Sequence, residues 1–521
     1  VINDAAATIP NRTTLRADVC VVGGGPVGLT LAVALASPTC KVILLESGGR
    51  NETPAGRDLA TAEKRGDLWE PIRDTRTRAL GGTSLLWTNP DRGMPHDGLR
   101  NHPLTSVDFS SRIWVPDSGW PFSREALASY YEQAHTILKL GAFDYEEPAE
   151  LPLDLDRAQV ETTQMRFSTR EAIEHLEEAG AASPHVEVLL NSTALVLHEG
   201  EDNSVESIRV HSNGKQFEVT ARCFVLAGGG IENARLLLLS DAKTPGGIGN
   251  HHDLVGRYFM EHLTVTHGVI VRPDTTAQAS GRLVTDGVPV QPVWRIAEDV
   301  IEREQLLGVI LAPVPADALN GRFFARNAYL RPLSRLVRRP LAPPLRHHLK
   351  RPGLLAMMAA RGGIGLLRPG HAIGLHAHIE QPPRRENRVT LSNRIDALGQ
   401  RQARVDWRLG EQERDSLLRT LALFDSALRS RGVGYLSHLP GDQDFDLLVE
   451  QSHHHIGTTR MHANPEHGVV DADCRVHDVG NLYVTGSSVM PTGGAATVTL
   501  TAMALALRLA DHLRQRLDEP V

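Results

Sequence analysis

Six residues, Gly23-Gly24-Gly25-Pro26-Val27-Gly28, constrain this chain more than any other stretch. They follow a buried-strand run, Ala17 to Val22, and precede an apolar helical run from Leu29 to Ala36. A second strand run, Lys41 to Leu45, then ends in Glu46. Each part has a physical task. Gly23 permits a tight turn, Gly25 lets a pyrophosphate approach the backbone, and Gly28 lets helix and strand pack closely. The helix N-terminus offers N–H groups and a partial positive charge to phosphates. Glu46 falls about 20 residues after the glycines, where a carboxylate accepts from both ribose hydroxyls. Together these features predict a dinucleotide site rather than an ordinary strand–helix turn.

The rest of the chain is large enough for more than that unit, since 521 residues allow two to four domains. With 41% hydrophobic and 22% charged residues it can bury a large core and is not disordered. Its 55 basic against 62 acidic side chains give a formal charge of -7, which argues against a general nucleic-acid partner. No apolar run reaches the roughly 18 to 20 residues of a membrane span. Cys20, Cys40, Cys223 and Cys474 lie far apart, a spacing expected of single buried thiols in a reducing cytoplasm. A helix is expected over Arg124 to Leu140, sheet over His185 to Val210, and short Val-rich strands over Leu263 to Leu311. Cys223 to Leu226 reads as another buried strand, running into Gly228-Gly229-Gly230. Between Asp317 and Glu380 there is no acid, while eleven Arg and Lys alternate with Leu and Pro. The repeated prolines there favour a lid or a solvated insertion over a continuous amphipathic helix.

Three further stretches carry chemical signals. Arg78-Ala79-Leu80-Gly81-Gly82-Thr83-Ser84 combines two glycines with two hydroxyl residues, which suits backbone passing close beneath a flat ligand. His453-His454-His455 invites a metal reading, but adjacent side chains on a strand point to opposite faces and no carboxylate has suitable local spacing. A single histidine acting as general base is the better expectation, and no metal is expected. Asn481 to Ser488 reads as a strand feeding a glycine-rich turn and then an apolar helix to about Leu513, whose N-terminus can face an anionic ring.

Taken in order, GGGPVG with LLESGG, RALGGTSLLW, VLAGGGIENARLLL, LVGRYFMEH, HHIGTTRM and LYVTGSSVMPTGGAATVTLTAMALAL resemble the glucose–methanol–choline (GMC) flavin oxidoreductases. The resemblance is greatest to their bacterial sugar- and polyol-oxidising branch, allied to pyranose oxidases, and weakest over Ala312 to His371. It implies an α/β (α+β) fold. A Rossmann-like FAD-binding domain, discontinuous in sequence, would comprise 16-110, 184-262 and 464-521. A substrate domain of sheet plus helices would comprise 111-183 and 263-463, with a basic lid-like insertion near 318-379.

The same resemblance assigns residues. Gly23, Gly25 and Gly28 would hold the FAD pyrophosphate and Glu46 its adenosine ribose. Arg78, Gly81, Gly82, Thr83 and Ser84 would line the flavin, with Gly228 and Thr499 also at the cofactor. Gly486 and Ser487 fall at the ribityl and phosphate contacts, Ser487 in place of a common Asp. Leu86 stands where the covalent branch has its attachment histidine, so FAD is expected to be non-covalent. The catalytic histidine of the family precedes a Gly-Thr pair by three residues, which is His454. Its partner, a His or Asn in the family, corresponds to Thr497; Thr has one O–H and a shorter reach. His454 would take the proton of a substrate C–OH while hydride passes to flavin N5. The implied activity is oxidation of a primary or secondary alcohol of a sugar, glycoside (aminoglycoside-type products included) or polyol. Partners would be that small molecule and an electron acceptor, oxygen or another, in the cytoplasm. The alternatives are flavin-dependent non-redox or lyase chemistry, a NAD-dependent dehydrogenase, and a binding protein docking through the basic stretch.

Overall fold

Four parallel strands finish at one level, and everything that binds ligand is built beyond that level. Val22 of strand Thr14–Val22 lies opposite Leu45 of Val42–Leu45 on one side and Leu226 of Lys215–Leu226 on the other. Leu226 in turn faces Val484 of Leu482–Val484. Segments more than 200 residues apart in the sequence thus end side by side, and in open α/β sheets ligands bind outside such carboxyl ends. The computed structural model describes residues 1–68, 70–88, 98–146, 153–272, 283–315, 372–437 and 449–518.

The first sheet runs Ile2–Asp4, Val186–Leu190, Val42–Leu45, Thr14–Val22, Lys215–Leu226, Val205–Ser212, Thr193–Glu199, with Leu482–Val484 also pairing with Lys215–Leu226. Its strands from Ile2–Asp4 to Lys215–Leu226 are parallel, and the last two are antiparallel. Val42–Leu45 is buried throughout, as a strand covered on both faces must be. The predicted helix begins at Pro26, whose missing N–H costs nothing at a helix start, and runs to Leu35. Helix Val498–Asp518 packs against it, burying Leu500, Met503, Leu507 and Ala510.

A second, antiparallel sheet faces the first across the ligand space. It runs Tyr435–Ser437, Leu263–Val271, Ala372–Ile379, Val309–Pro315, Val288–Ile296, Val160–Ser168, Leu99–Asn101, with Val449–Gln451 alongside Leu263–Val271. Three placements depart from the sequence-derived segments. Leu99–Asn101 belongs to this sheet although it falls within 16-110, and Ile2–Asp4 belongs to the first sheet although it precedes residue 16. Helix Arg170–Ala182, within 111-183, packs on Pro26–Leu35. Hydrophobic pattern specifies that a face is buried but not which sheet buries it. The basic 318-379 stretch falls mostly outside the described residues, and its end is not a lid. Ala372–Ile379 is an interior strand with buried His376 and His378. The expected helix over Arg124 to Leu140 is a 3₁₀ turn, Arg124–Leu127, followed by helix Ala128–Ile137.

The sheets are joined by a buried polar frame. Arg112 donates to both oxygens of Glu380, and Glu380 also accepts from Gly308 N at 2.9 Å. Both side chains are essentially fully buried. Asp108 lies beside this pair, and burial together with the Glu380 charge raises its carboxyl to about 6. Thr492 Oγ1 donates to Asp108 O and accepts from Trp120 Nε1, which fixes the loop leading to Gly493 and Gly494. A Cβ on Gly494 would meet the Asp108 carboxyl at 2.6 Å, so only glycine fits there. Arg112→Met leaves a buried carboxylate unpaired and is expected to destabilise the fold by about 3–5 kcal/mol. Urea denaturation checks this, with partial recovery in the Arg112→Met/Glu380→Gln double variant.

Candidate active site

Beyond the strand ends lies a cavity of about 1220 Å³, lined by Gly23, Gly24, Gly25, Glu46 and Arg78 at one end and His454, His378 and Thr497 at the other. Gly23 has φ +114° and a Cβ there would meet Ala227 O at 2.5 Å. A Cβ on Gly28 would meet Gly23 O at 2.0 Å, so Gly28 serves helix–turn packing and lies behind the cavity wall. Gly25 differs: the nearest atom to a Cβ there is Gly82 Cα at 3.9 Å. Open space over a glycine at a helix N-terminus is the shape a pyrophosphate needs. Glu46 is buried and accepts from Gly24 N at 2.8 Å and Gly48 N at 2.7 Å. Burial pushes its carboxyl up to about 7 against those hydrogen bonds.

The other cofactor candidates also gather here. Gly82, Thr83, Ser84, Gly228, Gly486, Ser487 and Thr499 line the same cavity, as does Leu86. Gly81 does not; with φ +92° it shapes the turn from behind. Ser84 Oγ donates to Gly81 O and Ser487 Oγ to His455 O. Arg78 donates to Ser47 Oγ and pairs with Glu232 at 2.8 Å. Glu232 also holds Arg76 and Arg235, and these guanidinium groups hold its carboxyl well below the usual range despite burial.

The three consecutive histidines separate. His453 Nε2 contacts Glu70 at 2.7 Å, and its backbone takes φ +60°. His455 Nε2 faces Thr75 Oγ1 at 3.1 Å. His454 turns to the cavity and meets two histidines that sequence spacing did not connect with it. Its Nδ1 lies 2.9 Å from His262 Nδ1, and its ring centroid is 5.6 Å from that of His378.

Protons in this group are assigned by their partners. His262 Nε2 faces the carbonyls of Gly494 at 2.8 Å and Gly493 at 3.2 Å. A carbonyl only accepts, so Nε2 carries hydrogen. Burial lowers His262 to about 4, so it is neutral and its Nδ1 is an acceptor. His454 Nδ1 therefore donates to it, leaving His454 Nε2 with a lone pair. That atom has no hydrogen-bond partner among the described residues. Burial, then the neighbouring histidines, hold His454 well below its ordinary value.

Glu261 lies under the pair, fully buried, and its Oε1 accepts from the backbone N–H of His454 and His262. Oε2 faces His455 Nε2 at 3.9 Å and has no hydrogen-bond partner among the described residues. Burial raises this carboxyl to about 8, so it is a neutral acid at neutral pH. One ring nitrogen from each of His262, His378 and His454 falls within 4.8 Å of the others, a spacing compatible with a metal ion. This cluster is non-local, which is why local spacing gave no sign of it. Thr497 Oγ1 donates to Arg100 O, so its proton is committed to the backbone.

Residues 383–506 match the family described as GMC oxidoreductase, and residues 18–261 match an FAD binding domain. The chain carries a GMC oxidoreductase domain and an FAD-binding domain. It is 25% identical to 6'''-hydroxyparomomycin C oxidase of Streptomyces lividus, over 95% of this chain and 92% of that protein. It is 26% identical to the fructose dehydrogenase large subunit of Gluconobacter japonicus, over 64% of this chain and 54% of that protein. The fold matches pyridoxine 4-oxidase from Mesorbium loti at TM-score 0.52 and 19% identity, covering 96% of this chain and 99% of that one. With its FAD-binding domain the chain binds FAD, and the glycine turn, the open space over Gly25 and the cavity fit that group. Among the described residues no helix is long and apolar enough to cross a membrane, and all four cysteines are buried free thiols.

Two outcomes are expected. Gly25→Ala should fold with unchanged flavin-free thermal stability yet lose bound FAD, read by the ratio of flavin to protein absorbance; Gly28→Ala should fail to fold. Glu261→Gln tests the buried acid by linkage. The folded protein holds a proton on Glu261 up to about pH 8, whereas the unfolded chain releases it near 4.5. Stability from this group therefore falls as pH rises between those values. Glu261→Gln should gain on the wild type steadily across that window, measured by chemical denaturation at each pH.

Proposed function

We propose that this GMC oxidoreductase oxidises a primary or secondary CH–OH of a sugar, glycoside (aminoglycoside-type products included) or polyol to the carbonyl. His454 is the general base. The observation that carries this reading is the lone pair on His454 Nε2, fixed by the Gly494–His262–His454 chain and turned toward the cavity. A substrate hydroxyl placed there gives its proton to Nε2. When bound, FAD supplies the two-electron acceptor for the hydride leaving the carbinol carbon, so the substrate loses H⁺ and H⁻ together.

The rest of the site holds that geometry. His262 fixes the tautomer and orients the ring; once His454 is protonated, Nδ1 keeps its donor role unchanged. Glu261, as a neutral acid, clamps the backbone of both histidines without placing a full charge beside the base. Val498 and Thr499 begin the helix Val498–Asp518 at the cavity wall, where the helix N-terminus favours negative charge. Gly23, Gly25, Glu46, Arg78, Gly82, Thr83, Ser84, Gly228, Gly486, Ser487 and Thr499 hold FAD, non-covalently, since Leu86 offers no nucleophile. Oxygen or another acceptor reoxidises it. The oxidase from Streptomyces lividus supports the glycoside class of substrate by its near full-length match.

His454→Ala should slow anaerobic flavin reduction by about 100- to 10,000-fold with little change in FAD content, the range of general-base catalysis. In the wild type the same rate should not fall through pH 6.5, where an ordinary histidine protonates. The acid limb should lie well below that, because burial keeps His454 neutral. Stopped-flow reduction across pH 5 to 8 (a choice of about three units around the unperturbed value) distinguishes the two.

A further inference from the structure

Beside His454 the cavity wall presents several hydrogen-bond acceptors. His454 Nε2 is an acceptor, as derived above. His378 Nδ1 lies 2.7 Å from Ala495 O and must carry its hydrogen there. Burial and the adjacent His262 keep His378 neutral, so His378 Nε2 is a second acceptor. Ser452 Oγ reaches that nitrogen at 3.3 Å, a long contact. If Ser452 donates to Nε2, its own oxygen is the acceptor that faces the cavity; if it swings away, Nε2 is. Either way the His378–Ser452 pair takes a donor from a ligand. Thr497 Oγ1 has spent its proton on Arg100 O and also accepts only. His378, Ser452, Thr497 and His454 all line the one cavity.

We propose that the substrate binds through two hydroxyls on neighbouring carbons, one against His454 and the other against His378 with Ser452. A simple alcohol satisfies His454 and leaves the second buried acceptor unpaired, which is costly. A vicinal diol satisfies both. The spacing favours neighbours: the ring centroids of His378 and His454 are 5.6 Å apart, and one ring nitrogen of each falls within 4.8 Å of the other. The oxygens of a gauche 1,2-diol sit about one hydrogen-bond length from each other, and so can bridge two such nitrogens. His378, from the opposite sheet, thereby performs the substrate contact that the residue at Thr497 is too short to make. The inference rests on His454 being the base.

The test uses the FAD-loaded full chain with paired probes: trans-cyclohexane-1,2-diol against cyclohexanol, and methyl β-D-glucopyranoside against its 2-, 3- and 4-deoxy analogues. Anaerobic flavin reduction should favour the diol of a pair by on the order of 100-fold. His378→Leu should remove that preference by slowing the diol alone, and His378→Gln, which keeps an acceptor, should restore part of it. In His454→Ala, whose turnover is slowed, calorimetry under anaerobic conditions should still detect diol binding, and adding His378→Leu should abolish it. Equal wild-type rates for diol and mono-alcohol, or equal slowing of both in His378→Leu, overturns the diol inference while leaving alcohol oxidation intact. If none of the probes reduces the flavin, alcohol oxidation and the diol inference fall together.

Discussion

The level at which four parallel strands stop is the constraint on which this molecule depends. Leu45, Val22, Leu226 and Val484 are held abreast by backbone hydrogen bonds, and the residues just past them are Glu46, Gly23, Ala227 and Thr485. All four line the cavity. A slip in any one pairing would move its loop by a residue and turn its side chains to the opposite face. The glycines matter because this register brings turns together closely. Gly23 passes against Ala227 O and Gly28 against Gly23 O with no room for a side chain.

The histidine group depends on a second constraint, the carbonyls of Gly493, Gly494 and Ala495. They decide which nitrogen of His262 and of His378 is protonated, and through His262 they decide it for His454. The loop that carries them is tied down by Thr492 to Asp108 and Trp120, and Asp108 sits against the buried Arg112–Glu380 pair. The ring of His454 is thus positioned through residues that do not line the cavity. Sheet strand Ala372–Ile379 connects the same layers directly, since it carries His376 and His378 and is followed at once by Glu380.

Legibility in the sequence followed the range of the interactions. The glycine turn, its helix and Glu46 are contiguous, each explained by its neighbours, and all were readable as a dinucleotide site. His454 was singled out by its distance from Gly457, again a local relation. His262 lay in a motif that was read without a role, because its partner is 192 positions away. His378 sits at the end of the basic 318-379 stretch, where charge pattern overshadows the buried strand Ala372–Ile379. Thr497 was readable as a substitution, but the hydroxyl's commitment to Arg100 O depends on a strand 397 residues earlier in the chain. Periodicity reports that a residue is buried; only topology reports against what.

Electrostatics joins these layers into one argument. Glu261 and Glu46 are carboxyls raised by burial, while His262, His378 and His454 are imidazoles lowered by it. Both shifts favour the neutral form. The neutral histidines at this part of the wall bind O–H donors strongly once water is displaced. A proton taken up by His454, as proposed, would place its charge on a ring already hydrogen-bonded to His262, with Glu261 beneath both. Held neutral by burial, Glu261 clamps the backbone of both histidines without setting a full charge beside the ring.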